Sequence, residues 1–375
     1  MPRRATVLFV VPTLGLGGVE RALSSVLERL DRTRFAPSLC VLGGDTDDVP
    51  VPADVTVVKL GRESRWSFLR VVMRLRRVIK RTRPDAIVAF SGTANMTVLV
   101  AARLVADRPK LIVTEHISPL LMYTSDEEPF GWLKQSLVRH LYPLGDAVVA
   151  VSNGVAGELE QVYGIADELL SVAHTPVELA TMDALAQEEP RVWPATGPVV
   201  VAVGRLTTQK NHALLLRALA LVEAQRPIAA VIVGDGPERL ALEGLARRLE
   251  LRAVSFAGSD PNPYPYIARA DVFALSSDFE GFGVVLVEAL ALGTPIVSSD
   301  CASGPREILD SGEFGLLVAP GDAEALSRAI IRILDDDELR ERFRRLGPAR
   351  ARLFSSESAT KDLEQTIAGV LDKAV

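Results

Sequence analysis

The sequence of 375 residues predicts two doubly wound α/β domains facing each other across a cleft, with a C-terminal helix that returns to the first domain. Three observations predict this. Short β-rich apolar runs alternate with amphipathic stretches along the whole chain. The runs are continuously apolar and bounded by turn residues, as strands buried on both faces are, and parallel strands need the intervening helices as crossovers. The runs are too many for one open sheet, and a polar, proline-containing stretch at 187–198 divides them about evenly.

In order, the expected strands lie at 6–11, 38–42, 55–58, 86–90, 111–114 and 147–151, then at 199–203, 229–233, 254–256, 272–274, 295–297 and 315–318. The expected domains are 1–187 and 188–354, with 355–375 as the crossing helix. That helix carries an apolar stripe at Leu363, Ile367, Val370 and Leu371. The start, Arg3-Arg4 followed by an apolar run, mimics a signal peptide. It runs instead into Pro12-Thr13-Leu14-Gly15-Leu16-Gly17-Gly18 without a small-x-small cleavage site, so a buried first strand and a glycine loop are expected.

Composition narrows the function. Hydrophobic residues make up 48% and charged residues 24%, enough to build large cores. The net charge of −6 disfavours nucleic acid as the main partner. Residues 1–185 carry 21 basic and 21 acidic side chains, whereas 186–375 carry 21 and 27, so the whole excess lies in the second half. Two distant cysteines, Cys40 and Cys301, exclude a disulfide framework and suit a reducing compartment. No apolar run reaches the length of a membrane span, and the expected location is cytoplasmic. One segment departs from the average: nine basic residues and a single acid, Glu63, lie between Arg62 and Arg83. Within the expected helix 65–83, Arg70, Arg74, Arg77 and Arg81 form one stripe. Phe68, Leu69, Val72, Leu75 and Ile79 form another, with Trp66 near its start. An ordinary solvated helix and a contact with anionic lipid headgroups are both open, the former slightly favoured.

The chemistry concentrates where strands end, because ligands of open α/β sheets sit beyond the carboxyl ends of the strands. In Glu280-Gly281-Phe282-Gly283-Val284-Val285-Leu286-Val287-Glu288, two glutamates flank the amides at a helix N-terminus. Such amides bind phosphate, and the carboxylates can accept hydrogen bonds from hydroxyls; hydroxyls flanking a phosphate describe a sugar nucleotide. Glu288 stands in a helix that is apolar nearly all round, so its carboxylate needs a partner. Gly204-Arg205-Leu206-Thr207-Thr208-Gln209-Lys210-Asn211 brings two cations that can reach a diphosphate, and Asn211 can cap the next helix. Gly15-Leu16-Gly17-Gly18-Val19-Glu20 is not a dinucleotide fingerprint, since Glu20 stands where its last glycine belongs; a dehydrogenase is thereby disfavoured. Gly234-Asp235-Gly236-Pro237 reads equally as a structural turn or a ligand loop. His116, after the strand at 111–114, is open to a structural or a site role. The four histidines form no metal set, and Asp45-Thr46-Asp47-Asp48 reads as a solvated loop.

These residues resemble the retaining glycosyltransferases of family 4, with their two-Rossmann, GT-B architecture. The pair Glu280 and Glu288 matches that family's E-x7-E motif, and the loops at Gly17-Gly18, Gly204-Arg205 with Lys210-Asn211, and Gly234-Asp235-Gly236-Pro237 follow in the family's order. The resemblance implies that Glu280 holds the donor sugar's hydroxyls and Glu288 the ribose. Arg205 and Lys210 would bind the diphosphate together with the amides of Gly283, Val284 and Val285. His116 would line the donor-sugar side, Gly17 and Gly18 would make room for phosphate and acceptor, and the loop near Gly258-Ser259 would lie along the base. Gly204, Gly234 and Phe282 complete the implied donor site. The resemblance also implies retention of configuration and no metal or other cofactor. The run Asp300-Cys301-Ala302-Ser303-Gly304-Pro305-Arg306-Glu307-Ile308 looks like a bacterial branch that extends lipid-linked or surface glycans from UDP-sugars, with the segment 120–130 choosing the acceptor. At His174-Thr175-Pro176-Val177 the chain departs from the Asn that many relatives carry there. Two other readings remain at this point: a UDP-sugar epimerase of the same architecture, and a non-catalytic subunit that binds sugar nucleotides.

Overall fold

The computed structural model describes residues 3–15, 17–43, 48–61, 68–124, 130–194 and 196–373. The chain divides into two compact units, Met1–Pro176 with Ser356–Val375, and Val177–Ser355. The division falls after Pro176, eleven residues before the expected boundary at 187, within the His174–Val177 stretch. The short helix Met182–Leu185 therefore belongs to the second unit.

The first unit is built on seven strands: β1 (Ala5–Val11), β2 (Phe35–Val41), β3 (Thr56–Lys59), β4 (Ala86–Phe90), β5 (Lys110–Glu115), β6 (Ala147–Ala150) and β7 (Leu170–Val172). All pair in parallel, in the order β3-β2-β1-β4-β5-β6-β7. Six of these strands stand within a few residues of their expected bounds. The seventh, β7, escaped because its three residues are only half-buried at a sheet edge, so no continuous apolar run marks it. The C-terminal helix Ser356–Asp372 closes one face of this sheet. Leu363, Ile367 and Val370 are buried with Val7, Phe9 and Ile112, while Leu371 packs at the margin. Glu364 of the same helix accepts from the backbone N–H of Asp31 at 2.6 Å.

The second unit has six strands: β8 (Val199–Val203), β9 (Ala229–Val233), β10 (Val254–Gly258), β11 (Val272–Leu275), β12 (Ile296–Ser299) and β13 (Leu316–Val318). They too are parallel, ordered β10-β9-β8-β11-β12-β13. Its core gathers Val200, Ala202, Ile232, Val272 and Val297 under the helices His212–Glu223 and Ala323–Asp335.

One device recurs at the amino ends of the strands. Asp85 before β4 accepts from the N–H of Thr6 at 2.7 Å, Asp146 before β6 from Leu111 at 2.9 Å, and Asp271 before β11 from Val199 at 2.8 Å. In each case the aspartate's own N–H donates to the carbonyl of the same partner. An orphan donor at a strand start is thus satisfied, and the neighbouring strands are locked in register there. The carboxyl ends remain free to diverge. β8 and β11 pair through only Val200 with Val272 and Val201 with Phe273 before their loops separate.

Ile367 has no exposed surface and sits in the first unit's core. Ile367→Ala should cost about 2–5 kcal/mol. Native-state hydrogen exchange should show faster exchange in β1 and β5 with the second unit's strands unchanged. Equal loss of protection in both units, or none, would contradict the assignment of this helix to the first unit's core.

Candidate active site

In each sheet the strand order reverses once, between β1 and β4 and between β8 and β11. Such switch points open a crevice at the carboxyl ends. In the second unit, the loops after β8 and β11 meet there. Lys210 Nζ lies 2.5 Å from Glu280 Oε1, and the Ser277 hydroxyl donates to the same oxygen at 2.6 Å. Glu280 is buried and Lys210 mostly so, with side-chain exposures of 6% and 18%. The loops are tied by backbone as well. Asp278 N–H donates to the Gln209 carbonyl at 2.9 Å, Gln209 Nε2 donates to the Phe279 carbonyl at 3.0 Å, and Asn211 Nδ2 donates to Asp278 Oδ1 at 2.8 Å. Asn211, in a left-handed conformation, also caps the next helix by accepting from Leu214 N–H at 3.1 Å.

Around this pair the remaining groups take distinct places. Arg205 is exposed and makes no ion pair among the described residues. The helix Val284–Ala291 starts from Gly283 at φ +100°, and its first amides, those of Val284 and Val285, have no acceptor within the helix. Glu288 is half-buried one turn later, and the Tyr264 hydroxyl stands 3.5 Å from its Oε1, one partner for the carboxylate that the sequence required. Phe282 turns inward: its ring packs edge-on against Phe354 at 5.4 Å, so its side chain is part of the packing rather than free for a donor. The glycines knit the loop layer together. Gly204 N–H donates to the Val233 carbonyl at 3.0 Å and Gly234 N–H to the Gly258 carbonyl at 2.8 Å. A Cβ on Gly234 would stand 1.9 Å from the Gly204 carbonyl oxygen, so close backbone approach accounts for this glycine by itself. The Cys301 thiol, buried beside the pair, is pushed up to about 12 by burial and is no nucleophile near neutral pH.

The first unit presents a different surface at its switch point. Thr13 donates to Glu20 Oε1 at 2.8 Å, and the Glu20 carboxylate folds back over Gly17, where a Cβ would stand 2.2 Å from its Oε2. Gly18 has open space at its Cβ position. The loop's helix end is therefore already faced by a carboxylate of the chain, unlike a bare phosphate cradle. After β5, His116 stacks on Phe90 with ring centroids 5.3 Å apart. Thr114 donates its one hydroxyl hydrogen to the Ala89 carbonyl at 2.9 Å, so the 2.8 Å contact with His116 requires Nε2–H of the imidazole as donor. Burial pushes His116 down to about 4, and the ring is neutral with Nδ1 as its acceptor.

Beside it, Glu115 is pushed up to about 7, chiefly by burial, with Glu158 adding to the rise. Hydrogen bonds from the Tyr142 hydroxyl and from the amides of His116 and Ile117 oppose it. Sequence reasoning passed over Glu115, Ser277 and Tyr264. The run Thr114-Glu115-His116 held a signal, a charged residue ending an otherwise apolar strand.

Other expectations are adjusted. The basic helix is Phe68–Thr82, and its packed stripe is Val71, Val72, Leu75, Val78 and Ile79. Phe68 and Leu69 are exposed instead, at 43% and 73%. Arg74 leaves the basic stripe, since its guanidinium donates to the carbonyls of Leu60 and Gly61 at 2.6 and 2.8 Å. Part of the segment at 120–130 is helical, Pro119–Thr124. Trp66, Asp45, Thr46, Asp47 and residues 125–129 lie outside the described residues.

Residues 185–350 match the family described as glycosyl transferases group 1, and residues 16–181 match glycosyltransferase family 4. The chain is a family 4-like glycosyltransferase of GT-B architecture. This glycosyltransferase is 28% identical, over 95% of its length and 98% of the relative's, to a Campylobacter jejuni N-acetylgalactosamine-N,N'-diacetylbacillosaminyl-diphospho-undecaprenol 4-alpha-N-acetylgalactosaminyltransferase. It is 26% identical, over 87% and 89% of the two chains, to an amylovoran biosynthesis glycosyltransferase of Erwinia amylovora. Its fold matches Anabaena HepE in complex with UDP and glucose, with a TM-score of 0.80 at 21% identity over 98% and 100% of the two chains. The epimerase and binding-subunit readings give way to the transferase.

The crowding of loops at the second switch point gives a folding test. Gly304 has φ +90° and a Cβ there would stand 1.7 Å from the Phe282 carbonyl oxygen, whereas Gly312 has φ +108° with open space. Both Ala variants meet a left-handed penalty of about 1–2 kcal/mol, but only Gly304→Ala adds the clash. Urea unfolding should rank Gly304→Ala well below Gly312→Ala, and equal losses would refute the close approach.

Proposed function

We propose that this glycosyltransferase moves a sugar from a nucleotide-diphosphate sugar, a UDP-hexose or UDP-N-acetylhexosamine, onto a lipid-linked or polysaccharide acceptor with retention of configuration. The observation that carries the reading is the Lys210–Glu280 pair at the β8/β11 switch point, in the loop layer that also holds the helix-start amides of Val284 and Val285 and the exposed Arg205. A diphosphate arriving there would draw Lys210 off Glu280, join it with Arg205 and the helix end, and leave Glu280 to accept from the sugar's hydroxyls. Glu288 would take the ribose hydroxyls. The cations would stabilise charge as it develops on the leaving phosphate. The neutral His116, with Nδ1 as acceptor, would face the sugar. The reading needs no metal, since these groups supply the positive charge. The Campylobacter jejuni and Erwinia amylovora relatives support a diphospho-undecaprenol-linked or polysaccharide acceptor.

Arg205 isolates function from folding, because its side chain makes no ion pair or hydrogen bond among the described residues. Arg205→Ala should leave the melting temperature unchanged and lower kcat on the order of 10²-fold. A screen of nucleotide release across UDP-, GDP- and ADP-sugars, in EDTA, should show UDP-sugars as the donors. Full activity in the variant, or dependence on an added divalent ion, would overturn the assignment of the cations.

The reading extends to the membrane surface. Among the described residues no helix is long and apolar enough to cross a membrane. The helix Phe68–Thr82 leaves Phe68, Leu69 and Met73 exposed beside Arg70, Arg77 and Arg81, a pattern suited to lying on anionic headgroups at the inner face of the plasma membrane. Co-sedimentation with liposomes should require anionic lipid and weaken with salt. It should fall when Arg70, Arg77 and Arg81 are replaced by Ala; binding indifferent to that change would remove the membrane contact from the account.

A further inference from the structure

The turn Gly234-Asp235-Gly236-Pro237, which follows β9, carries a group that the reaction above does not use. Its backbone is built into the loop layer of the second unit. Leu206 N–H donates to the Asp235 carbonyl at 3.0 Å and Glu238 N–H to the Leu206 carbonyl at 3.0 Å, so the turn is bonded to the loop that bears Arg205. A Cβ on Gly236 would stand 2.4 Å from the Leu206 carbonyl oxygen, which leaves no slack between the two loops. On the other side, Gly234 N–H reaches the Gly258 carbonyl at the end of β10. The turn leads into the helix Arg239–Arg248, whose first residue is gripped by two carboxylates. Arg239 Nε donates to Glu243 Oε1 at 3.0 Å, and its Nη1 donates to Asp235 Oδ2 at 3.2 Å. The other oxygen of Asp235 accepts from Gly236 N–H at 2.8 Å, which fixes that carboxylate in turn. The fork lies over the end of β10: a Cβ on Gly258 would stand 3.4 Å from Arg239 Nη1. The Arg239 side chain still keeps 34% of its surface exposed.

We infer that Arg239 is a specificity-determining residue for the nucleobase: the remaining N–H groups of its fork donate to the carbonyl at position 4 of uracil, and meet the amine of cytosine there donor against donor. The inference rests on the proposed sugar-nucleotide donor, with its diphosphate at the β8/β11 switch point and its ribose at Glu288. The strands run in the order β10-β9-β8-β11. Tyr264, whose hydroxyl stands 3.5 Å from Glu288 Oε1, opens the helix that follows β10. A nucleotide anchored by phosphate at β8/β11 and by ribose at Glu288 therefore carries its base towards the carboxyl end of β10, where Arg239 lies. Charge separates the two arginines of this layer. Arg205 makes no ion pair among the described residues and keeps its charge for phosphate. Arg239 faces two carboxylates, so its charge is offset and what it offers a ligand is direction. A guanidinium has N–H donors and no acceptor; Glu243 and Asp235 take two of them, and the rest can only donate. Uracil shares with thymine an O4 acceptor at the edge where cytosine presents its N4 amine. The two pyrimidines are nearly equal in size, so an apolar wall cannot separate them, whereas a donor held in place can.

The test is calorimetric binding of UDP, CDP and inorganic pyrophosphate to the full chain as wild type, Arg239→Met and Glu243→Gln. Partly exposed i,i+4 pairs add little to folding, so both variants should keep the wild-type melting temperature. Wild type should bind UDP about tenfold or more tightly than CDP. Arg239→Met keeps the apolar stem and removes every donor, so UDP should weaken until the two nucleotides bind alike, with CDP no weaker than before. Glu243→Gln loosens one side of the fork and should give a ratio between those two. Pyrophosphate, which has no base, should bind all three proteins equally. A UDP-to-CDP ratio unchanged in Arg239→Met would overturn the inference. Equal weakening of UDP, CDP and pyrophosphate would also overturn it, since that marks an arginine that shapes the loop or binds phosphate. Wild type that binds UDP and CDP equally would sink the inference and leave the donor reading standing. Wild type that binds neither nucleotide would overturn the donor reading itself, and the inference with it.

Discussion

The functional end of the second unit depends on one strand adjacency, β8 beside β11. Asp271 locks their amino ends through Val199, and the ladder then closes only two residue pairs before the strands part. The two loops that follow are far apart in sequence and share no local reason to meet. They are brought together because the sheet reverses direction there, and they are sealed by a Lys210–Glu280 contact that is almost dry. A buried pair of this kind is costly to form and costlier to break from one side, at about 3–5 kcal/mol for an orphaned charge. Ser277 and the backbone ties around Gln209 and Asp278 make it sustainable. In the proposed reaction the same pair is a latch of matched polarity: the cation suits a diphosphate, the carboxylate suits hydroxyls, and each guards the other until both are replaced.

The two units solve the switch-point problem in opposite senses. The second offers an exposed arginine and an open helix end, a place with spare positive potential despite that half's acidic excess. The first has its helix start faced by Glu20 and keeps neutral or acidic groups behind its strand ends, with Glu115, Glu158 and the phenols of Tyr142 and Tyr163 in one buried cluster. That contrast fits the proposal that the diphosphate belongs to the second unit.

Much of this was legible in the residues. Twelve of the strands announced themselves as apolar runs, because a parallel strand covered on both faces cannot alternate; the exception, β7, is half-exposed and three residues long. The loop motifs were legible for the same reason: glycine at Gly283 and Gly234 is demanded by backbone geometry, and Asn211 by its cap. What could not be read was pairing. Nothing in the spacing of 70 residues says that Lys210 meets Glu280, that Arg74 is drawn away to two carbonyls, or that Phe282 turns inward to Phe354. Glu115 was hidden differently. It is buried against Tyr142, whose hydroxyl donates to it, and Glu158 adds to its rise, so its altered acidity exists only in the fold.

The most direct measurement is the structure of the complex with a UDP-sugar. The account predicts the diphosphate on Arg205, Lys210 and the amides of Val284 and Val285. It also predicts the Lys210–Glu280 contact opened and Glu280 turned to the sugar's hydroxyls. A nucleotide bound with that ion pair intact, or bound away from the β8/β11 switch point, would contradict it.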